Sequence, residues 1–264
     1  MNAGTVRNRT MRVGETIARL RAPDAPTLEP GAVTHPVVVG LDGGYVRSRH
    51  RRPERNFEVV VGKVIDAEGS QHRFAFARIG GSSEDFALAL VRAGVRGGTP
   101  STVLSDGDAG LGALQRAVLP AATIVLDWFH IAMRFEHALR AAAGVGTGTA
   151  DAHRGKLSRR IETLRGQLRD LSDYLEANRA ALVNYGARRW RGEPISTAFV
   201  ESAVNEIVSP RMIKKQQMRW YRWTVQPFLD VRTAVLNGTL AGAFRRRYPD
   251  LRPANRDIET PAAA

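Results

Sequence analysis

From Val37 to Arg78 the chain offers three strand-like segments in succession, and after Ser82 helices and strands alternate; this order constrains the fold more than any other feature. Val37 to Leu41 is a continuous apolar run that meets Asp42, the pattern of a buried strand with an acid at its far end. Phe57 to Ile65 is rich in β-branched residues, and Gln71 to Arg78 alternates, with His72, Phe74 and Phe76 standing against Arg73, Ala75 and Ala77. Asp66-Ala67-Glu68-Gly69 has the chemistry of a hairpin turn, so an antiparallel meander is expected. Ser82 and Ser83 can cap a helix over Glu84 to Val95. Thr102 to Leu104 predicts a short strand ending at Ser105-Asp106, followed by a helix from Ala109 to Val118 with Asp108 as its N-cap. Thr123 to Leu126 predicts another strand ending at Asp127, with a helix starting near His130.

The resulting order is βββαβαβα. A right-handed crossover lays the later strands on the far side of the first, so the first strand lies beside the fourth and Asp42 beside Asp106. This is the topology of a ribonuclease H-like fold, an α/β class built on one mixed sheet. Acids at those places suit phosphodiester chemistry, in which two divalent ions about 3.5–4 Å apart generate the nucleophile and take charge from the leaving oxygen. Mg²⁺ keeps several waters, so a few carboxylates on separate elements suffice to hold it, and Mn²⁺ can stand in. The third carboxylate should come from a helix packed on the sheet. Glu201 is the candidate, in a helix beginning near Ser196, with Val204 and Val208 on its side and Glu206 turned toward solvent. An acid at a strand end is also an ordinary cap or turn former. Asp108 fits that plain role, and Asp127 fits either the cap of the helix at Trp128 or membership of the cluster.

Composition narrows the chemistry further. There is no Cys among the 264 residues, which excludes a disulfide framework, a thiolate zinc site and a thiol nucleophile. Any metal must be held by carboxylates, carbonyls or the six His. The formal net charge of +13 attracts polyanions, nucleic acid first, although Arg beside many Ala and Gly also suits a GC-rich genome. No apolar run approaches the roughly 18 residues of a membrane span, and the N-terminus lacks a signal-peptide core, so a cytoplasmic protein is expected.

The remaining segments sort by composition. Residues 1–35 read as a short helix and a linker broken by Pro23, Pro26 and Pro30. After Ala143 comes the glycine-rich GVGTGTA. An Arg-rich amphipathic stretch from Asp151 to about Asn184 follows, with Leu157, Ile161, Leu164, Leu168, Leu171 and Leu175 forming one stripe expected to be buried. A helix from about Gln226 to Leu236 closes the pattern. The expected division is a core over 36–143 and 195–240, a helical insertion over 144–194, and a basic, partly disordered tail over 241–264.

Two basic groups are candidates for DNA. Arg47, Arg49, Arg51 and Arg52 follow the first acid, either gripping phosphates or decorating a solvated hairpin. Lys214, Lys215, Arg219 and Arg222, interleaved with Trp220, Tyr221 and Trp223, either join backbone contacts to base stacking or place their aromatics in the core. Arg245-Arg246-Arg247 reads as a solvated end. His130 is a structural histidine first, with orientation of Asp127 or contact with a phosphate as the alternatives. GDAGLGAL lacks the Lys of a phosphate-binding loop, which excludes an ATPase reading.

LDGGYVRS (Leu41 to Ser48), VLSDGDAGL (Val103 to Leu111), DWFHIAMR (Asp127 to Arg134), STAFVESAVNEIV (Ser196 to Val208) and KKQQMRW (Lys214 to Trp220) resemble, in that order, the transposases of bacterial insertion sequences of the DDE class, in the Kra-type group. The resemblance covers about Gly31 to Leu240. It implies Asp42, Asp106 and Glu201 as the metal-binding catalytic triad for two Mg²⁺ ions, with DNA cleavage and strand transfer at transposon ends as the activity. It also implies transposon-end and target DNA as partners, and a homo-oligomer assembled on DNA. Such transposases begin with a sizeable end-recognition domain. Here about 35 residues precede the core, so the resemblance implies a chain shortened at its N-terminus, with TVRNRTMRVG as that domain's tail. The stretch YRWTVQPFLDVRT departs from the family's glycine-bearing pattern. A reading of another class stays open beside it, a non-catalytic DNA-binding remnant of a decayed transposase.

Overall fold

The structure is a computed structural model and describes residues 2–21, 28, 35–49, 55–78, 82–145, 154–208, 212, 219–247 and 249. Its centre is a five-stranded mixed sheet formed by β1 (Val37–Arg47), β2 (Asn56–Ile65), β3 (Gln71–Arg78), β4 (Ser101–Ser105) and β5 (Thr123–Leu126), in the order β3-β2-β1-β4-β5. The first three strands are an antiparallel meander, and β4 and β5 run parallel to β1. The first strand therefore lies beside the fourth, as the crossover argument requires.

Between β2 and β3 the chain turns at Gly69, whose φ of 82° is left-handed. Its N–H donates to the Asp66 carbonyl at 3.1 Å, and Ser70 N–H donates to Asp66 Oδ1 at 2.7 Å. β1 runs past its expected end at Asp42 to Arg47, because β2 keeps pairing with it as far as Arg47↔Asn56. Pairing with β4 stops earlier, at Gly40↔Leu104. Asp42 is thus held by a ladder on one side while its other side opens onto the end of β4.

Both faces of the sheet are covered. On one face Val37, Val39, Leu41, Val60, Val64, Phe74 and Phe76 pack with Phe86 and Leu90 of α2 (Ser82–Arg92) and with Leu111 and Leu114 of α3 (Ala109–Val118). On the other, Val46, Val59, Val61, Ala75 and Ala77 pack with Ala203 and Ile207 of α7 (Ala198–Ile207) and with Val225 and Leu229 of α8 (Arg222–Leu236). β3 is accordingly buried on both sides over Phe74 to Ala77. Glycine makes the second face possible. A Cβ on Gly40 would stand 2.1 Å from Val200 Cγ2, so only glycine lets α7 lie this close to β1.

Several boundaries differ from the sequence expectation. α2 ends at Arg92 instead of Val95, because Gly94 at φ 86° turns the chain and Gly94 and Val95 N–H close on the Val91 and Leu90 carbonyls. α8 begins at Arg222, carrying Pro227 inside it, since burial of Val225 and Leu229 outweighs the backbone bond that proline forfeits. The stretch expected as one helix from Asp151 divides into α5 (Arg154–Ala177), a 3₁₀ turn over Arg179–Ala181 and α6 (Tyr185–Trp190). α5 packs on α4 (Trp128–Val145), but its apolar stripe is not buried as a whole. Leu171 is covered, whereas Leu157, Ile161 and Leu168 are 40%, 42% and 51% exposed. α1 (Ala3–Arg21) lies on α8, where Ile17 is buried with Ala234 and with Ala243 of α9 (Leu240–Arg247). Among the described residues no helix is long and apolar enough to cross a membrane.

Candidate active site

Asp42 and Asp106 come to the same place by register. The last paired residues of β1 and β4 are Gly40 and Leu104, and each acid lies two residues beyond its own strand's member of that pair. β5 adds a third: it pairs with β4 through Ser105↔Leu126, and Asp127 N–H continues the ladder to the Ser105 carbonyl at 2.9 Å. Strand alternation puts Asp42 on the α7 side, since Val39 and Leu41 face α2 and α3.

Asp42 is half-buried, and Gly43 N–H donates to its Oδ1 at 2.7 Å. Burial pushes its carboxyl above the ordinary range. The Gly43 bond opposes that, and the charges of Asp106 and Glu201 add to it while His130 counters them. Asp106 Oδ1 accepts Asp108 N–H at 3.0 Å, and its carbonyl accepts the Tyr174 hydroxyl at 2.9 Å. Asp108 caps α3 as expected, accepting from Gly110 and Leu111 N–H. Glu201 sits in the first turn of α7, its N–H on the Thr197 carbonyl at 3.1 Å. The buried stripe of that helix is Val200, Ala203 and Ile207, one position away from the expected Glu201–Val204–Val208 side. Glu201 therefore lies at the margin of the packed face, half-buried. Glu206 is not a free solvent acid: Arg73 Nε pairs with its Oε2 at 2.8 Å across the sheet.

Asp127 resolves into a structural hub with no exposed surface. Thr197, which precedes α7, donates its hydroxyl to Oδ2 at 2.5 Å, His130 Nδ1 meets the same oxygen at 2.6 Å, and Phe129 N–H donates to Oδ1 at 2.9 Å. Burial alone would raise this carboxyl, but those three bonds outweigh it and hold it below the ordinary range. The bond to Asp127 raises His130 in turn, against its own desolvation, with the charges of Asp106 and Asp42 helping. The imidazole is thus fixed through Nδ1, and the same contact favours its protonated form. Thr197, Tyr174 and Tyr185, whose hydroxyl donates to the Leu126 carbonyl at 2.9 Å, carried no signal in the sequence beyond their polarity.

The carboxylates gather without closing on one point. Among the described residues no three His, Asp or Glu side chains stand near enough together, as placed, to hold an ion. Of the basic candidates, Arg47, Arg49 and Arg219 are exposed. Trp220 is half-buried, its ring 4.9 Å from that of Phe228, so packing takes up a face that stacking on a base would need. Arg51, Arg52, Lys214 and Lys215 lie outside the described residues.

No protein family model matches the chain, and no curated protein is similar to it. Among solved structures there is weak similarity to the transposase in a Drosophila P element transposase strand transfer complex, at 10% identity and a TM-score of 0.29 over 88% of this chain and 70% of that one. Weaker similarity, at 12% identity and a TM-score of 0.16, links it to NurA, of whose chain it spans 65%. NurA has also been solved with manganese.

Proposed function

We propose that the chain is a DDE-type DNA transposase core of ribonuclease H-like topology, with Asp42, Asp106 and Glu201 as its catalytic carboxylates. In this reading 36–143 with 195–240 is the core, 144–194 the insertion and 1–35 an N-terminal DNA-binding segment with its linker. The observation that carries it is geometric: Asp42 and Asp106 each lie two residues past the last paired residues of the adjacent parallel strands β1 and β4, beside the start of the helix that carries Glu201.

The donor type of these residues suits a divalent cation, since hard carboxylate oxygens bind Mg²⁺ or Mn²⁺; as placed, the three side chains would have to draw together to hold one. When bound, a pair of such ions supplies an activated oxygen nucleophile and neutralises charge on the leaving oxygen. The chain's own residues do the rest. The ends of β1 and β4 carry two of the carboxylates, Thr197 ties the helix of Glu201 to Asp127, and Asp127 holds His130 in place through Nδ1. Exposed Arg47, Arg49 and Arg219 supply charge for DNA phosphates.

The test is nicking of supercoiled plasmid with Mg²⁺ or Mn²⁺. Asp42→Asn, Asp106→Asn and Glu201→Gln should each slow it by roughly 10³-fold or more while leaving mobility-shift binding intact. Full activity in Asp42→Asn would remove it from the site, and joining of a DNA 3′-hydroxyl end into a target distinguishes a transposase from a plain nuclease. The spacing of the three carboxylates favours a second reading, a DNA-binding remnant without catalysis. It predicts binding and no nicking with either metal.

A further inference from the structure

Where Trp220 packs on Phe228, Trp223 turns outward. Trp220 forms a bridge with Ser48, its N–H on the Arg47 carbonyl and its own carbonyl on Arg49 N–H, both at 2.9 Å. That bridge sews the start of α8 to the end of β1. It sets Tyr221 and Trp223 beside Arg49: the two rings stack with centroids 4.6 Å apart and planes 19° from parallel, and the Arg49 guanidinium lies 5.0 Å from the Tyr221 centroid. Trp223 is nevertheless 65% exposed.

Most of the Trp223 indole faces solvent, and three features here say what it suits. The indole is braced by a second ring, so its orientation is fixed before any ligand arrives. The stack is backed by a cation, which favours an electron-rich planar partner. Arg49 at the stack is exposed, and so is Arg219, one residue before the bridge; such cations suit a phosphate backbone and oppose a basic protein surface. We infer that Arg49, Tyr221 and Trp223 form a stacking platform for an unpaired nucleobase, roughly 23 Å of extended strand from Asp42. A base inside a duplex offers only its edges, so the platform selects single-stranded or frayed DNA at some distance from the acids. This inference rests on the DNA-binding reading and adds the form of DNA recognised.

The test uses the full chain and fluorescence anisotropy with a blunt 20-mer duplex and the same duplex carrying three unpaired nucleotides. Wild type should prefer the overhang, and 2-aminopurine in the overhang should be quenched. Trp223→Ala should lose about 10-fold or more in affinity for the overhang while keeping its duplex affinity. Trp223→Phe should retain part of the preference, and Trp190→Ala, at an 89% exposed indole without a stacked partner ring, should retain all of it. The platform is overturned if Trp223→Ala weakens both DNAs equally, leaves the overhang preference intact, or converts a dimer to a monomer, which would show a second copy covering the ring. Absence of any DNA binding by wild type would overturn the DNA reading itself, and the platform with it.

Discussion

Asp127 and His130 show how a side chain's company decides its charge. The Asp127 carboxylate is held low by donors from three directions, and His130 is held high by the same contact. A depressed acid contributes stability above its unfolded value, near pH 3.9, and loses it as pH falls through the folded value. A raised histidine contributes fully below about pH 6.5 and loses it as pH rises through its folded value. The pair should therefore be firmest between about pH 4 and 6.5. Melting temperature in wild type is expected to fall between pH 6 and 8.5 by more than in His130→Ala; equal slopes would place His130 outside the linkage. The sequence left Asp127 between helix cap and cluster member. It is a cap for Phe129 N–H and a clamp on α7 at once, and that second role was illegible because Thr197 lies 70 residues away.

At the scale of elements, the position of α7 follows from what is missing beneath it. Gly40 has no side chain, and Val200 and Phe199 occupy the space one would fill. Gly40→Ala should force α7 off the sheet at a cost of about 1–3 kcal/mol, and should weaken divalent-ion binding because Glu201 moves with the helix. Thermal melts and Mn²⁺ titration read the two effects; an unchanged variant on both counts would mean the helix yields without carrying Glu201. Strands and short helices were legible because apolar runs, turn glycines and caps are local. α3 and β5 match expectation at both ends. What depended on partners was not. The α5 stripe has helical spacing, yet α4 covers only part of it, and Glu206 sits on the outer side of a short helix, yet finds Arg73 on β3. Likewise, three aromatics at 220, 221 and 223 look alike in sequence, and only the fold, with Trp220 bridged to Ser48 and packed on Phe228, separates that ring from the exposed Trp223.

Over the whole molecule, the sheet is the central frame, with α2 and α3 on one face and α7 and α8 on the other. The acids stand where the parallel strands end and α7 begins, and the exposed arginines and the aromatic stack extend away along β1. A net charge of +13 suits a polyanionic partner, which the proposed reading takes to be DNA. The central claim is that Asp42, Asp106 and Glu201 act together on divalent ions. Titration of Mn²⁺ into the full chain, followed by calorimetry or by the spectrum of the free ion, tests it most directly. Binding should be tight in wild type in the presence of DNA, and lost or greatly weakened in each of Asp42→Asn, Asp106→Asn and Glu201→Gln. Wild-type stoichiometry and affinity in the triple variant would contradict it.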